Sequence, residues 1–422
     1  MMDRRSFLLS SAAILAACSK NEITIPPAGQ DGNLAGTGPL PQSVMKNMEG
    51  IYKQSGGNGG LGSNFVCKAS RFKISFFSNL NGISVILKYG LNTNTGAIEF
   101  SGFWRVTEDN VQGLANFTMA AADGATDFLL TGNPSSIKLK GVFKNADGSD
   151  PRNVEIQFSK AFTTFAKNNP FMIFGHHGIS TTANPPYAEN SLDAARYAED
   201  YGLTGIEYDI RLTLDNVPIC IHDPSINIRL TKKGPLAGYY DQYKFNFLTQ
   251  FVDLIDGQKI PSVEQVLDVV IDETNLSHVW LDIKGNPNVF AHLEPIVRAK
   301  VAKASAANRK LTIFAGLPSD EVIAEFNNQP SYSGGGGTVP LPTLAEVSLD
   351  DVIATKSSYF GPRYSEGLLL SDVERAHSMG VKVISWTLND KNIIRNYLQN
   401  GKFDGFITDY PAYVVYDYYT MY

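Results

Sequence analysis

The chain has 422 residues, more than one ordinary domain holds, so two domains are expected. Hydrophobic residues make up 43% and charged residues 18%, which excludes a disordered chain. Lys+Arg 36 against Asp+Glu 42 gives a net charge of −6, a poor match for a polyanion, so nucleic acid is not an expected partner. The three cysteines, Cys18, Cys67 and Cys220, are too few for a disulfide framework.

The chain opens with Arg4 and Arg5, a short apolar run from Phe7, and small residues up to Ala17. A basic start, an apolar stretch and small residues before a cleavage point describe an export signal over 1–17. The run is too short to span a bilayer. Leu15-Ala16-Ala17-Cys18 resembles the lipobox of bacterial lipoproteins, which implies cleavage before Cys18 and lipid on that residue. The expected location is outside the cytoplasm, anchored to a membrane on the periplasmic side or at the cell surface. Arg4-Arg5-Ser6-Phe7-Leu8 also fits a twin-arginine signal, and the export route stays open. Loss of 1–17 would make the net charge −7. Residues 18–42, rich in Pro, Gly and Asn, read as a flexible tether.

Residues 43–164 carry short alternating runs, such as Arg71–Phe76, Ile83–Lys88 and Val154–Phe158, with turn clusters such as Asn92-Thr93-Asn94-Thr95-Gly96 between them. No helical period stands out. The pattern predicts a small all-β domain, either a sandwich or a barrel. Its role and its protein partners are not readable from sequence.

From 165 to 422 the pattern changes to apolar β runs alternating with amphipathic helical stretches. Candidate strands fall at Phe171–Gly175, Thr204–Ile210, Val217–His222, His278–Lys284, Leu311–Ala315, Val352–Thr355, Val381–Trp386 and Gly405–Thr408. Eight such units over roughly 250 residues predict an α/β fold of the (β/α)8 TIM-barrel type. Side chains alternate along a strand. Glu207 and Asp209 therefore share one face, Asp282 and Lys284 share another, and Cys220 and His222 a third. Facing inward at the C-terminal strand ends, they would form a polar mouth. Glu207, Asp209 and Asp282 together need a counter-charge, and an all-oxygen set suits Ca²⁺ or Mg²⁺.

Several segments in order resemble the glycerophosphodiester phosphodiesterase family, a phospholipase C-like type of TIM barrel. They are Gly175-His176-His177-Gly178, Ala188-Glu189-Asn190-Ser191, Gly205-Ile206-Glu207-Tyr208-Asp209, Ile221-His222-Asp223-Pro224, Leu281-Asp282-Ile283-Lys284, Ser385-Trp386-Thr387-Leu388-Asn389 and Thr408-Asp409-Tyr410-Pro411. The resemblance spans about Phe171 to Pro411 and leaves out the β domain. It implies hydrolysis of glycerophosphodiesters to glycerol 3-phosphate and an alcohol. It assigns His176 and His222 as the acid–base pair, Glu207, Asp209 and Asp282 as metal ligands, and Lys284 as a phosphate-binding cation. It also places Trp386 at the glycerol pocket. Two positions depart from the family pattern: His177 stands at a phosphate-binding arginine, and Asp282 at a metal-binding glutamate. A phospholipase C- or D-type lipid phosphodiesterase and an inactive binding lipoprotein are the alternatives. Exposed apolar residues at the barrel mouth would favour the first, and His177 the second. Glu189 and Asn190 shape the site or cap a helix. His278, His292 and His377 read as surface or packing residues, and Gly334–Gly337 as a loop.

Overall fold

The computed structural model describes residues 34–108, 111–179, 186–285, 288–329 and 341–422. The leader 1–17, Cys18 and Gly334–Gly337 lie outside the described residues.

The first domain is a closed antiparallel barrel of eight strands, which settles the choice between sandwich and barrel. Its strands are β1 (Gly50–Gly57), β2 (Asn64–Ala69), β3 (Ile74–Ser78), β4 (Ile83–Asn92), β5 (Ala97–Val106), β6 (Gln112–Met119), β7 (Lys138–Asn145) and β8 (Arg152–Lys160). Each pairs with the next, and β8 returns to β1. The two-residue period sorts their side chains. Phe65 and Cys67 of β2, Ile74 and Phe76 of β3, and Val85 and Leu87 of β4 fill the interior. Val66, Phe77 and Ile86, between them, point out into the core of the second domain. Residues 34–42, read as the end of a tether, instead lie on the barrel: Gly38 and Leu91 exchange two backbone hydrogen bonds of 2.8 Å. The helix Ala125–Thr131, unforeseen in the sequence, sits between Gly124 and Gly132 and buries Ala125 and Phe128. Seven residues with two inward positions are too few to show a helical period.

The second domain begins with β9 (Met172–Gly175) and β10 (Gly205–Leu212). An excursion carries β11 (Pro218–Cys220), β12 (Ser225–Ile226) and β13 (Gly238–Tyr239). The barrel then resumes with β14 (His278–Ile283), β15 (Thr312–Leu317), β16 (Thr343–Ala345), β17 (Tyr359–Phe360), β18 (Lys382–Ser385) and β19 (Gly405–Thr408). Eight parallel strands, β9, β10 and β14 to β19, close into the TIM barrel.

Two expected barrel strands are corrected. Val217–His222 contains β11, which pairs antiparallel with the end of β10 as a hairpin and is not a barrel stave. Val352–Thr355 lies in the helix Leu349–Thr355, capped by the Ser348 hydroxyl on the Asp351 amide. The true staves, β16 and β17, have three and two residues, too short to display alternation.

Phe174, Trp280, Phe314, Leu344, Tyr359, Ile384 and Ile407 pack the barrel interior. The C-terminal helix Pro411–Met421 is buried along Pro411–Tyr418, and its one charge, Asp417, accepts from Arg395 at 2.8 Å. It shares one apolar cluster with Phe77 and Ile86, so both domains cover it, which explains its mostly apolar make-up. Asp200 fastens the same joint, paired with Lys73 Nζ at 2.5 Å and accepting from the Ser70 hydroxyl at 2.6 Å.

Candidate active site

The site is assembled at the C-terminal ends of the parallel strands. After β9 the chain makes a tight turn through His176 and His177. A Cβ on Gly175 would stand 1.8 Å from the Gly178 carbonyl oxygen, so glycine is required there. The His177 amide donates to Glu207 Oε2 at 2.9 Å and pins the turn to β10. Parallel register sets Asp209 of β10 beside Asp282 of β14. Glu207, Asp209 and Asp282 each bring an oxygen within 4.8 Å of the others.

Three buried carboxylates this close repel one another, and one cation answers them. Lys284 Nζ lies 2.5 Å from Asp282 Oδ2 and 3.0 Å from Asp209 Oδ1. Burial works against the lysine's charge, but Asp282 and Asp209 hold it well above the usual lysine range. Burial would push Asp209 up, yet the His177 ring, Lys284 and the Asn190 amide keep it ionised. Burial and the neighbouring Asp209 push Glu207 up. Burial also raises Asp282, against the pull of Lys284. Glu207 Oε1 and Asp282 Oδ1 accept no hydrogen bond among the described residues, whereas Asp209 Oδ1 has the Lys284 ammonium. Orphaned, converging carboxylate oxygens fit a hard divalent cation, and the donor set contains no sulfur.

The two expected acid–base histidines are each backed by a carboxylate. His176 Nδ1 meets Asp409 Oδ1 at 3.1 Å, and Asn389 Nδ2 donates to the other Asp409 oxygen at 2.6 Å. Burial opposes a charge on His176, but Asp409 and then Glu207 and Asp209 raise its pKa to about 9. His222 Nδ1 meets Asp223 Oδ1 at 2.8 Å. Arg229 grips Asp223 at 2.8 Å and Glu189 at 2.8 Å. With Nδ1 engaged on each ring, Nε2 is the nitrogen left for proton transfer. Arg211 ties the two loops together by donating to the carbonyls of His222 and Lys284 at 2.8 and 3.0 Å.

A cavity of about 280 Å³ joins these groups. His176, Glu207, His222, Asp282 and Lys284 line it with Trp280, Pro318, Glu346, Arg363 and Trp386. Arg363 stacks on the Trp386 ring at 4.9 Å. His177 takes a different place. It stacks on His176 with ring centres 3.7 Å apart and sets Nε2 3.3 Å from Asp209 Oδ2, away from the cavity lining. Burial drives its pKa well down, so it is a neutral neighbour of the acidic triad.

Asn190 does not cap the first helix; Ser191 does. Asn190 holds Asp209 with both ends of its amide, at 2.7 and 3.0 Å. Glu189 joins the Arg229 network, so both residues shape the site. Cys220 is core. Of the other histidines, His278 is packed against Phe174, and His377 pairs with Asp404 near the surface. Sequence reading assigned no role to Asp409, Asn389, Asp223, Arg229, Glu346 or Arg363. Asp223 and Asp409 had a signal, since both stand inside the quoted motifs, Asp223 directly after His222.

A mouth of this kind suits acid–base chemistry on an anionic phosphorus ester, the work of a phosphoric diester hydrolase. The model of the Glycerophosphoryl diester phosphodiesterase family matches residues 176–413, more than half of the chain. The chain belongs to this family and is an enzyme of it; the β barrel lies outside the match. A glycerophosphodiester phosphodiesterase of Bacillus altitudinis is 25% identical over 241 residues, covering 57% of this chain and 94% of the relative. A probable glycerophosphodiester phosphodiesterase 2 of Mycobacterium tuberculosis is 25% identical over 257 residues, 58% of this chain and 89% of the relative. Among solved structures, an Oleispira antarctica phosphodiesterase in complex with the product sn-glycerol-3-phosphate aligns with a TM-score of 0.45 at 18% identity, covering 58% of this chain and 96% of that one.

Proposed function

We propose that the C-terminal barrel hydrolyses glycerophosphodiesters to glycerol 3-phosphate and an alcohol, with His176 and His222 as the acid–base pair and a divalent cation on Glu207, Asp209 and Asp282. One observation carries the reading: two carboxylate-backed histidines share a cavity with Glu207 and Asp282, whose oxygens converge with that of Asp209 behind them. Ca²⁺ or Mg²⁺ on that triad would supply charge neutralisation at the phosphate. Lys284, already charged, binds a non-bridging phosphate oxygen. His222 takes the proton of the attacking hydroxyl, either water or the glycerol 2-hydroxyl. His176, protonated at neutral pH, gives its proton to the departing alkoxide. The new P–O bond forms as the P–O bond to the alcohol breaks. If the 2-hydroxyl attacks, water then opens the cyclic ester, so either route consumes one water. His177 supports Asp209, and Trp386 walls the glycerol side of the cavity. Loss of either histidine in His176→Ala or His222→Ala should lower turnover by roughly 10²- to 10⁴-fold. Near-full turnover by either variant would sink the pair.

A lipid diester is the second reading. Leu214 (57% exposed), Ile228 (63%), Tyr239 (53%) and Phe247 (42%) stand out from the excursion that carries His222. Lipid anchoring through Cys18 and an extracytoplasmic location accompany either substrate in this proposal. Release of glycerol or glycerol phosphate from phosphatidylglycerol vesicles, compared with release of choline from glycerophosphocholine, separates the two.

A further inference from the structure

Among the described residues three sets of side chains bring ligand atoms within 4.8 Å of one another, and the chemistry above uses only the all-carboxylate set. A second set is His177, Asp209 and His222, from the turn after β9, from β10 and from the loop after β11. His177 Nε2 lies 3.3 Å from Asp209 Oδ2. Two ligands on a tetrahedral ion with bonds of about 2.0–2.2 Å stand roughly 3.3–3.5 Å apart, so this pair already spans one edge of the tetrahedron. Asp209 Oδ2 accepts from Asn190 at 2.7 Å and keeps a second lone pair, while Oδ1 faces Lys284. The His222 ring is centred 5.2 Å from that of His177 and tilted 53° to it.

Each ring has a carboxylate at Nδ1: Glu189 stands 3.8 Å from His177 and Asp223 2.8 Å from His222. Outer carboxylates of this kind orient metal-binding imidazoles and leave Nε2 as the ligand atom. Two imidazoles and one carboxylate suit Zn²⁺, whereas Ca²⁺ and Mg²⁺ take oxygen ligands. Histidine at 177, where the family pattern has arginine, makes the set possible, because a guanidinium has no lone pair to give. The His222 side chain is 40% exposed and lines the cavity, which gives an ion a way in. The third set, His176 with His177 and Glu207, fails on geometry. Its two rings stack 3.7 Å apart, and their in-plane lone pairs do not meet at bonding distance.

We propose that His177, Asp209 and His222 form a binding site for Zn²⁺ or a like transition ion, and that the ion switches hydrolysis off by occupying His222 Nε2. The second half rests on the hydrolase reading above, in which that nitrogen takes the proton of the attacking hydroxyl. A nitrogen whose lone pair is held by a metal accepts no proton.

Co²⁺, a coloured substitute for Zn²⁺, tests the site directly. It is titrated into the full chain held in excess Ca²⁺, and its visible absorption is followed. The wild type should take up one equivalent per chain, and Zn²⁺ should displace it. His177→Phe and His222→Gln should each weaken uptake by about 100-fold or more, since even an outer partner of a ligand is worth roughly 10- to 100-fold. His176→Gln should keep the uptake. Circular dichroism identifies the variants that fold, and if one of the two ligand variants does not, the other decides. In the same buffer Zn²⁺ should stop glycerophosphocholine turnover at one equivalent, and further Ca²⁺ should not restore it. No Co²⁺ uptake by the wild type, uptake that survives either ligand variant in folded protein, or uptake lost in folded His176→Gln overturns the site. Inhibition that Ca²⁺ relieves overturns the switch, because Zn²⁺ would then act on the acidic triad. Absence of turnover by the wild type before Zn²⁺ is added would count against the hydrolase reading, while Co²⁺ uptake would still decide the metal site.

Discussion

Two closed eight-stranded barrels stand side by side in this chain and use their interiors in opposite ways. The antiparallel barrel fills its centre with Tyr52, Phe65, Phe76, Phe100 and Phe117, and a void bordered by Leu61, Phe65, Phe76, Val85 and Phe117 holds about 10 Å³. That is room for about one water, not for an organic ligand. The parallel barrel packs its floor with aromatic rings but leaves its mouth to buried charge and a cavity of about 280 Å³. Strand number and closure therefore do not decide function. What distinguishes the second barrel is buried like charge at one place: Glu207 and Asp282 converge with Asp209, and each keeps a carboxylate oxygen without a hydrogen-bond partner among the described residues. Protein interiors rarely tolerate such groups unless a ligand answers them.

Substitution should expose this contrast sharply. Glu207→Gln removes one charge from the triad, and turnover should fall by roughly 10²-fold or more as the ligand is lost. The same change should raise the melting temperature of the metal-free protein, because it relieves repulsion among buried carboxylates. Lower metal-free stability would show that the triad is held by contacts other than a cation. In the first barrel the sign reverses. Phe100→Ala should cost about 3–5 kcal/mol of stability in denaturant unfolding and leave turnover per folded molecule unchanged.

Added metal should act on one barrel only. Ca²⁺ or Mg²⁺ at about 100 times its dissociation constant should stabilise the native protein by roughly 2.7 kcal/mol, an effect that Asp282→Asn weakens. The smallest expected effect is at Asp409. Burial disfavours a charged His176, and Asp409 is its main support in reaching a pKa of about 9. With His176 as the proposed proton donor, activity should fall as pH rises through that value. Asp409→Asn lowers the pKa, and the alkaline limb of kcat should move to lower pH. A profile that does not move would separate Asp409 from the acid step.

The site was more legible in the sequence than the staves that carry it. Glu207, Asp209, Asp282 and Lys284 announce themselves because a charged residue every second position in an apolar strand leaves one face for it. β16 and β17 escaped because two or three residues cannot show alternation, while the apolar run Val352–Thr355 imitated a strand. Ser348 with Asp351 was the overlooked sign of a helix start there. His222 belonged to the site, but on a hairpin beyond β10 and not on a stave. A partnership across the chain, such as Asp409 with His176, depends on barrel closure and is invisible to local pattern. The joint around Pro411–Met421 is the same case: its mostly apolar helix makes sense only once both barrels cover it.

The most direct test of the account is release of glycerol 3-phosphate from glycerophosphocholine by the chain stripped with chelator and then given Ca²⁺ or Mg²⁺. The account predicts no release in chelator, recovery with at least one of the two ions, and no recovery in Glu207→Gln. Equal release in chelator, or none with either ion from folded wild-type protein, would contradict it.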